Sequence, residues 1–160
     1  MGLAHAQSTA KTRGIEPDDL SVADVHVDQL SMAHVRVRQS FHGIPIFGGE
    51  TIVHLRADGS LFGETDVLVA GLQVQTKPTL TKDAAIARAI DAYGCASCLT
   101  APPTAELWVL RHEQSDHLAY RVRFFRIDGT ADTSIPIFFV DAHSGELVWR
   151  YDDLKTSTSI

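Results

Sequence analysis

The sequence predicts an α+β protein of two small domains, in each of which an antiparallel sheet packs with a helix. Three observations lead to this fold class. The chain has 160 residues, of which 44% are hydrophobic, and this is enough to form a core. Apolar and polar residues alternate along several stretches, as is typical of half-buried strands. A polar stretch from Gly71 to Pro78 divides the chain, and we place a linker at residues 73–77.

The first domain is predicted to span residues 14–72. Residues 1–13 precede it and are small, polar and without a hydrophobic period, so they are expected to be a flexible tail. Val25 alternates with polar neighbours, and the same pattern returns around Val35 and Val37. Because such strands bury one face and expose the other, they predict an antiparallel hairpin.

A meander completes the predicted first sheet. Residues 43–49 are expected to interrupt the alternation, because Pro45 cannot donate to a central ladder and the glycines permit positive φ. Strands are expected at residues 51–56 and 61–69, on either side of an Asp-Gly turn. A short helix at residues 16–23 is the candidate covering element.

The second domain is predicted to span residues 78–154 and to open with a helix. Thr81 is a suitable N-cap, apolar residues recur at helical spacing after it, and Gly94 ends the pattern. A helix before an antiparallel meander predicts a layer in which the helix covers one face of a sheet. The expected strands of that sheet are residues 107–110, 118–125, 135–140 and 147–151.

The two cysteines, Cys95 and Cys98, form one C-x-x-C that follows the predicted helix. A thioredoxin-like site places its first thiol at a helix N-terminus, where the helix dipole lowers the pKa of a thiol. A four-thiolate zinc site needs a second pair of cysteines. A local disulfide and two free thiols are the alternatives that these arguments favour.

Composition argues against two classes of partner. The net charge is -6 with both signs interspersed, so there is no basic stripe for nucleic acid and little attraction to an anionic membrane. Every apolar run is far shorter than the roughly 20 residues that span a bilayer. Ala4-His5-Ala6 has the form of a signal-peptidase site, which favours a secreted or extracytoplasmic protein without an intact signal peptide in this chain. An arbitrary alanine-rich tail is the alternative.

No catalytic, cofactor-binding or metal site is predicted. His112 to His117 resembles H-E-x-x-H, but histidines at i and i+5 diverge by about 140° around a helix. The segment also lies between alternating strands, which predicts a polar hairpin loop. His34 and His42 share a strand face but lie roughly 26 Å apart, too far to share an ion. His54 on a neighbouring strand is able to approach one of them, without a third ligand.

One stretch resembles a known family. Residues 30–49 read LSMAHVRVRQSFHGIPIFGG and residues 52–55 read IVHL. They resemble the fungalysin/thermolysin propeptide domain, whose pattern is HVR-x-x-Q-x-x-x-G-[IV]-P-[IV]-F-G-[GA] followed by a strand that ends in VHL. The resemblance implies a family signature and candidate protease contacts at His34, Arg36, Gln39, Gly43, Pro45, Phe47, Gly48 and His54. The alternative is structural: the glycines and Pro45 shape a turn, and Arg36 and Gln39 satisfy local backbone groups.

The second half resembles a PepSY domain, which has a cystatin-like fold. The resemblance rests on Pro78-Thr79-Leu80-Thr81 before the helix, on AELWVL at residues 105–110, and on FVDAHSGELVW at residues 139–149. This tandem order precedes the catalytic domain in thermolysin-like precursors. It implies that residues 155–160 form a tail near a processing junction, and that Trp149 is another candidate protease contact.

The resemblance implies the propeptide of a secreted thermolysin-like zinc metallopeptidase, which acts as an intramolecular chaperone and inhibitor of the catalytic domain. The chain itself is then not an enzyme, its partner is the catalytic domain, and zinc belongs to that partner. One alternative is a free-standing inhibitor that acts in trans. Others are a peptidase precursor of which this is one part, and a cystatin-like binding module unrelated to proteases.

Overall fold

The computed structural model describes residues 1–156, with side chains described as far as Leu154. It confirms the α+β class. The chain divides into two units, Met1–Gln73 and Val74–Ile160, at the start of the stretch for which a linker is predicted. Of the predicted tail 155–160, residues 157–160 lie outside the described residues, and the backbone of the other two belongs to the last helix.

The first unit is a helix on a four-stranded antiparallel meander. Each strand pairs with the next one along the chain, so β2 and β3 are the central strands. The elements are α1 (Gly2–Thr12), β1 (Leu20–Val27), β2 (Ala33–Phe41), β3 (Ile44–Leu55) and β4 (Leu61–Asp66).

The prediction of a flexible tail at residues 1–13 is wrong, because α1 occupies it and covers the sheet. Ala6 and Ala10 are fully buried in a core cluster with Val35 and Val37. The buried stripe of α1 consists of small residues four positions apart, which lets the helix backbone approach the strands closely. A Cβ atom on Gly2 would stand 2.6 Å from the Val35 side chain, so the contact is already tight.

Two further local predictions need correction. The short helix expected at residues 16–23 is only a 3-10 turn at Pro17–Asp19, after which β1 begins. The break expected within residues 43–49 is confined to the turn that contains Gly43, since β3 then runs unbroken through Gly48. β3 is longer than its partner β2, and its additional residues are accommodated where the register shifts between Arg38 and Ser40 of β2.

The second unit has the predicted order of a helix followed by four antiparallel strands. Thr81 caps α2 by accepting a hydrogen bond from the Ala84 N–H, and Gly94 ends the helix in the left-handed conformation. The elements are α2 (Lys82–Tyr93), β5 (Thr104–His112), β6 (Ser115–Arg123), β7 (Pro136–Asp141), β8 (Leu147–Asp152) and α3 (Asp153–Thr156). The strands pair in chain order.

Candidate functional site

The residues of the predicted signature divide between the two faces of the first sheet. Val35 and Val37 of β2 point toward α1, so His34 and Arg36 alternate onto the opposite face, which we call the outer face. On β3, His54 lies directly opposite His34 and shares that face. The structure thus brings three of the nine predicted residues together: His34, Arg36 and His54.

A histidine pair forms the centre of the outer face. The Nδ1 atoms of His34 and His54 are 2.7 Å apart, which is hydrogen-bond distance. On the other side of the ring, the Nε2 atom of His34 lies 2.9 Å from Oδ2 of Asp28. His26, opposite His34 on β1, stacks on it with ring centroids 6.2 Å apart. The sequence predicts that His54 approaches His34 or His42, but it does not predict the contacts of Asp28 and His26 with His34.

Asp28 ties the histidine pair to the turn between β1 and β2. Its Oδ1 atom accepts hydrogen bonds from the backbone N–H groups of Leu30 and Met32, while Oδ2 is left for His34. The hydrogen bond from His34, together with these two backbone bonds, lowers the pKa of the Asp28 carboxyl below its ordinary value. Asp28 is therefore a carboxylate that fixes the orientation of the His34 ring.

Arg36 lies beside the histidine pair on the outer face. It is exposed, lies opposite Ile52 on β3 and Asp24 on β1, and makes a 3.7 Å ion pair with Glu50. An exposed pair of this length contributes little to stability. The guanidinium therefore remains accessible to a carboxylate of another molecule.

Gln39 has a different role, because its side chain is turned inward and is only 4% exposed. Its Nε2 group donates to the Val69 carbonyl, and its Oε1 atom accepts from the Val69 N–H, both at 2.8 Å. These two bonds hold the segment after β4 against β2. The backbone group that Gln39 binds is 30 residues away in the sequence, and a direct protease contact by Gln39 stays a prediction.

The remaining first-unit signature residues lie at the β2–β3 turn and along β3. Gly43 has φ +81° in the turn and Gly48 has φ +75° within β3, and both values belong to the left-handed region that favours glycine. Pro45 lies opposite Ser40 near the start of β3. Phe47 is half-buried on the same strand. A protease contact by any of these four residues stays a prediction.

Trp149 lies in the second unit, on β8, where it is half-buried among other rings. Its ring stacks on Tyr151 with centroids 4.9 Å apart, and the centroids of His112 and Phe139 are 5.9 and 6.1 Å away. Its role as a protease contact stays a prediction. Cys95 and Cys98 form a disulfide bond in the loop after α2.

The segment that resembles H-E-x-x-H forms the tight turn of the β5–β6 hairpin. Glu113 and Gln114 occupy the turn with positive φ, and the two histidines belong to the flanking strands. His117 is hydrogen-bonded through Nδ1 to Asp141 at 2.9 Å, beside a cavity of about 270 Å³.

Asp141 holds the β7–β8 turn as well as His117. Its Oδ1 atom accepts from the backbone N–H groups of His143 and Ser144. Burial raises the pKa of Asp141, but the bonds from His117, Ser144 and His143 together outweigh that effect, so the pKa is lowered. These contacts are those of a structural turn.

Two kinds of feature are absent from the described part of the chain. Within residues 1–156, no three His, Cys, Asp or Glu side chains are grouped so as to hold a metal ion. In that same part of the chain, no helix has the length and apolarity that a membrane span requires.

Comparisons with known proteins point to one family. Residues 18–63 match the Fungalysin/Thermolysin Propeptide Motif, and this stretch includes β1, β2, β3 and the histidine pair. The chain is 30% identical over 134 residues to a bacillolysin of Brevibacillus brevis, an alignment that covers 79% of the chain and 25% of that protein. It is 27% identical over 157 residues to a zinc metalloproteinase of Legionella pneumophila, covering 89% of the chain and 28% of that protein.

The chain thus spans about a quarter of the length of these relatives. Among solved structures, the Bacillus megaterium YpeB C-terminal domain aligns with 95% of this chain and 65% of its own, at a TM-score of 0.48 and 16% identity. The assignment of residues 78–154 to the PepSY family stays a prediction. Residues 18–63 carry the fungalysin/thermolysin propeptide motif, and the predicted resemblance of the chain to a thermolysin-like metallopeptidase propeptide is confirmed.

Proposed function

We propose that this chain is the propeptide of a secreted thermolysin-like zinc metallopeptidase, and that it binds the catalytic domain, assists its folding and inhibits it. The chain contributes no catalytic residue in this proposal, and zinc belongs to the catalytic domain. The observation that supports it most is the division of the motif residues between the two faces of the sheet. Gln39 serves the fold, whereas His34, Arg36 and His54 lie together on a face that α1 does not cover.

The outer face has the chemistry of a protein contact. Ile52 gives it a half-buried apolar centre between Arg36 and Thr65, and the histidine pair lies one row away. Interfaces commonly surround apolar contacts with polar groups, and arginine is enriched in them. We therefore infer that the outer face contacts the catalytic domain, with Arg36 directed at a carboxylate of that domain.

Folding assistance follows from binding by mass action. A partner that binds the native catalytic domain but not its unfolded chain stabilises the native state by about 2.7 kcal/mol when its concentration is one hundred times Kd. In a single precursor chain, the effective concentration of the propeptide reaches the millimolar range. A variant of this chain that binds the catalytic domain more weakly is therefore expected to assist its folding less.

The test uses the full chain and the catalytic domain of a bacillolysin-type metalloproteinase. The chain is titrated into a peptide-hydrolysis assay, and the yield of active enzyme is measured after refolding with and without the chain. We expect dose-dependent inhibition and a higher refolding yield. Replacing Arg36 with Ala should weaken inhibition by about tenfold, which corresponds to the loss of about 1.4 kcal/mol.

Lys11 supplies a charge-matched control. It is an exposed basic residue on α1, so Lys11→Ala removes one positive charge away from the outer face and should leave inhibition unchanged. Equal losses in both variants would indicate a general electrostatic effect and contradict the assigned face. Absence of both inhibition and folding assistance would favour a binding module unrelated to proteases.

A further inference from the structure

We propose that His34 and His54 form a proton-sensitive latch between β2 and β3. When both rings are neutral they share one hydrogen between their Nδ1 atoms, the bond survives the uptake of one proton, and uptake of a second proton opens it. The inference rests on the 2.7 Å separation of the Nδ1 atoms and on the carboxylate that holds the far side of His34. It concerns the chain alone and does not depend on the proposed protease partner.

The neighbours of the two rings determine which nitrogen carries hydrogen. A carboxylate only accepts, so the Nε2 atom of His34 must donate to Asp28. A neutral His34 ring then has a bare Nδ1 atom, which accepts. His54 must therefore donate from its own Nδ1 atom, and its bare Nε2 atom is left to accept from the Thr65 hydroxyl at 3.3 Å. Every ring nitrogen of the pair then has a partner.

One additional proton fits this arrangement without breaking it. It binds the Nε2 atom of His54, and the Thr65 hydroxyl turns from donor to acceptor. The Nδ1–H of His54 still donates to the bare Nδ1 atom of His34. The singly protonated pair therefore keeps its link and carries one positive charge.

A second additional proton has no acceptable place. The remaining bare nitrogen is Nδ1 of His34, and protonating it sets two N–H groups against each other at a separation of 2.7 Å. It also places two positive charges on rings whose centroids are 4.9 Å apart. The rings must then separate, whereas His34 keeps its contact with Asp28, which attracts a positive charge.

The surrounding charges belong to all the strands that carry the outer face. The charged and titratable groups of β1 are Asp24 and His26, and Asp28 follows that strand. β2 contributes Arg36 and Arg38, and β3 contributes Glu50, with Arg56 just after it. β4 contributes the uncharged Gly63 and Thr65 beside the pair. α1 packs on the opposite face of the sheet and contributes no charge here. His26, His34 and His54 face one another on β1, β2 and β3. When the latch is open and His26 is also protonated, each of these three rings carries a positive charge.

Nuclear magnetic resonance of the full chain with ¹⁵N-labelled histidine tests the latch directly. In the neutral state we expect hydrogen on Nε2 of His34 and on Nδ1 of His54, with a scalar coupling between the two Nδ1 nuclei. During acidification the coupling should survive the first proton and vanish with the second.

Two variants make the experiment specific. Asp28→Ala removes the acceptor that fixes the His34 ring, so the coupling should weaken and His34 should populate both neutral forms. His26→Gln removes a stacking neighbour that makes no contact through the Nδ1 atoms, so the coupling should remain. The proposal is overturned if the wild-type chain shows no coupling when both rings are neutral, or if the coupling persists when both rings are fully protonated.

Discussion

Gln39 offers the sharpest test of how the propeptide motif works, because the structure gives it a role inside the fold. Its carboxamide makes two hydrogen bonds of 2.8 Å to the backbone of Val69 and is almost completely buried. Gln39→Leu keeps a side chain of similar size and removes both bonds. The N–H and C=O groups of Val69 then lose the Gln39 carboxamide as their hydrogen-bond partner.

The expected cost follows from those two groups. A buried polar group without a partner costs about 1 to 3 kcal/mol, so two give about 2 to 6 kcal/mol. Val69 is half-buried, and water can reach part of its backbone once the segment loosens, which favours the lower half of that range. We expect a loss of about 2 to 3 kcal/mol. This is a large fraction of the stability of about 4 to 11 kcal/mol expected for a unit of this size.

Hydrogen exchange is the suitable assay, because both tryptophans, Trp108 and Trp149, lie in the second unit. The free energies of exchange of core amides, such as that of Val37, report the stability of the first unit. Gln29→Leu is the control, since Gln29 is exposed after β1 and should change these values by less than about 0.5 kcal/mol. A change equally small in Gln39→Leu would refute the structural role and return Gln39 to the candidate contacts.

Three further predictions concern other parts of the chain. Ala10→Leu should overpack the buried stripe of α1 and lower the stability of the first unit by about 1 to 3 kcal/mol, measured by the same exchange experiment. The pKa of Asp141 is lowered in the folded chain, so its contribution to stability is present above the ordinary value of 3.8 and is lost as the pH falls through the lowered value. Asp141→Asn removes this contribution, and the urea midpoint, followed by tryptophan fluorescence, should therefore decline less steeply in acid than it does in the wild type. The Cys95–Cys98 disulfide closes a very short loop, so its reduction should cost at most about 2 kcal/mol, and the double serine variant should be insensitive to reductant.

The sequence reveals most of the fold because most elements carry their own signals. The strands alternate, and α2 has both an N-cap and a glycine stop. α1 lacks such a signal, since the residues that bury it are Ala6 and Ala10 rather than large apolar side chains. Its position depends on long-range contacts, such as the hydrogen bond from Thr9 to Glu64, and local periodicity cannot reveal these.

The candidate site was predictable in its residues but not in its connections. Facing positions on β2 and β3 depend on the turn after Phe41 and on the register shift near Ser40, and together these set His34 opposite His54. Asp28 belongs to a turn, and its contact with His34 depends on how that turn folds. Sequence spacing contains no direct measure of either.

The division of the motif between two faces changes how a loss of inhibition must be interpreted. Variants of Gln39 or Gly43 are expected to alter the folding of the first unit, so reduced inhibition in them would not identify a contact with the protease. Arg36 is exposed and its ion pair is long, so Arg36→Ala should leave the hydrogen exchange of the core unchanged. A variant that loses inhibition and keeps that exchange separates partner contact from stability. A variant that loses both belongs with the structural residues of the motif.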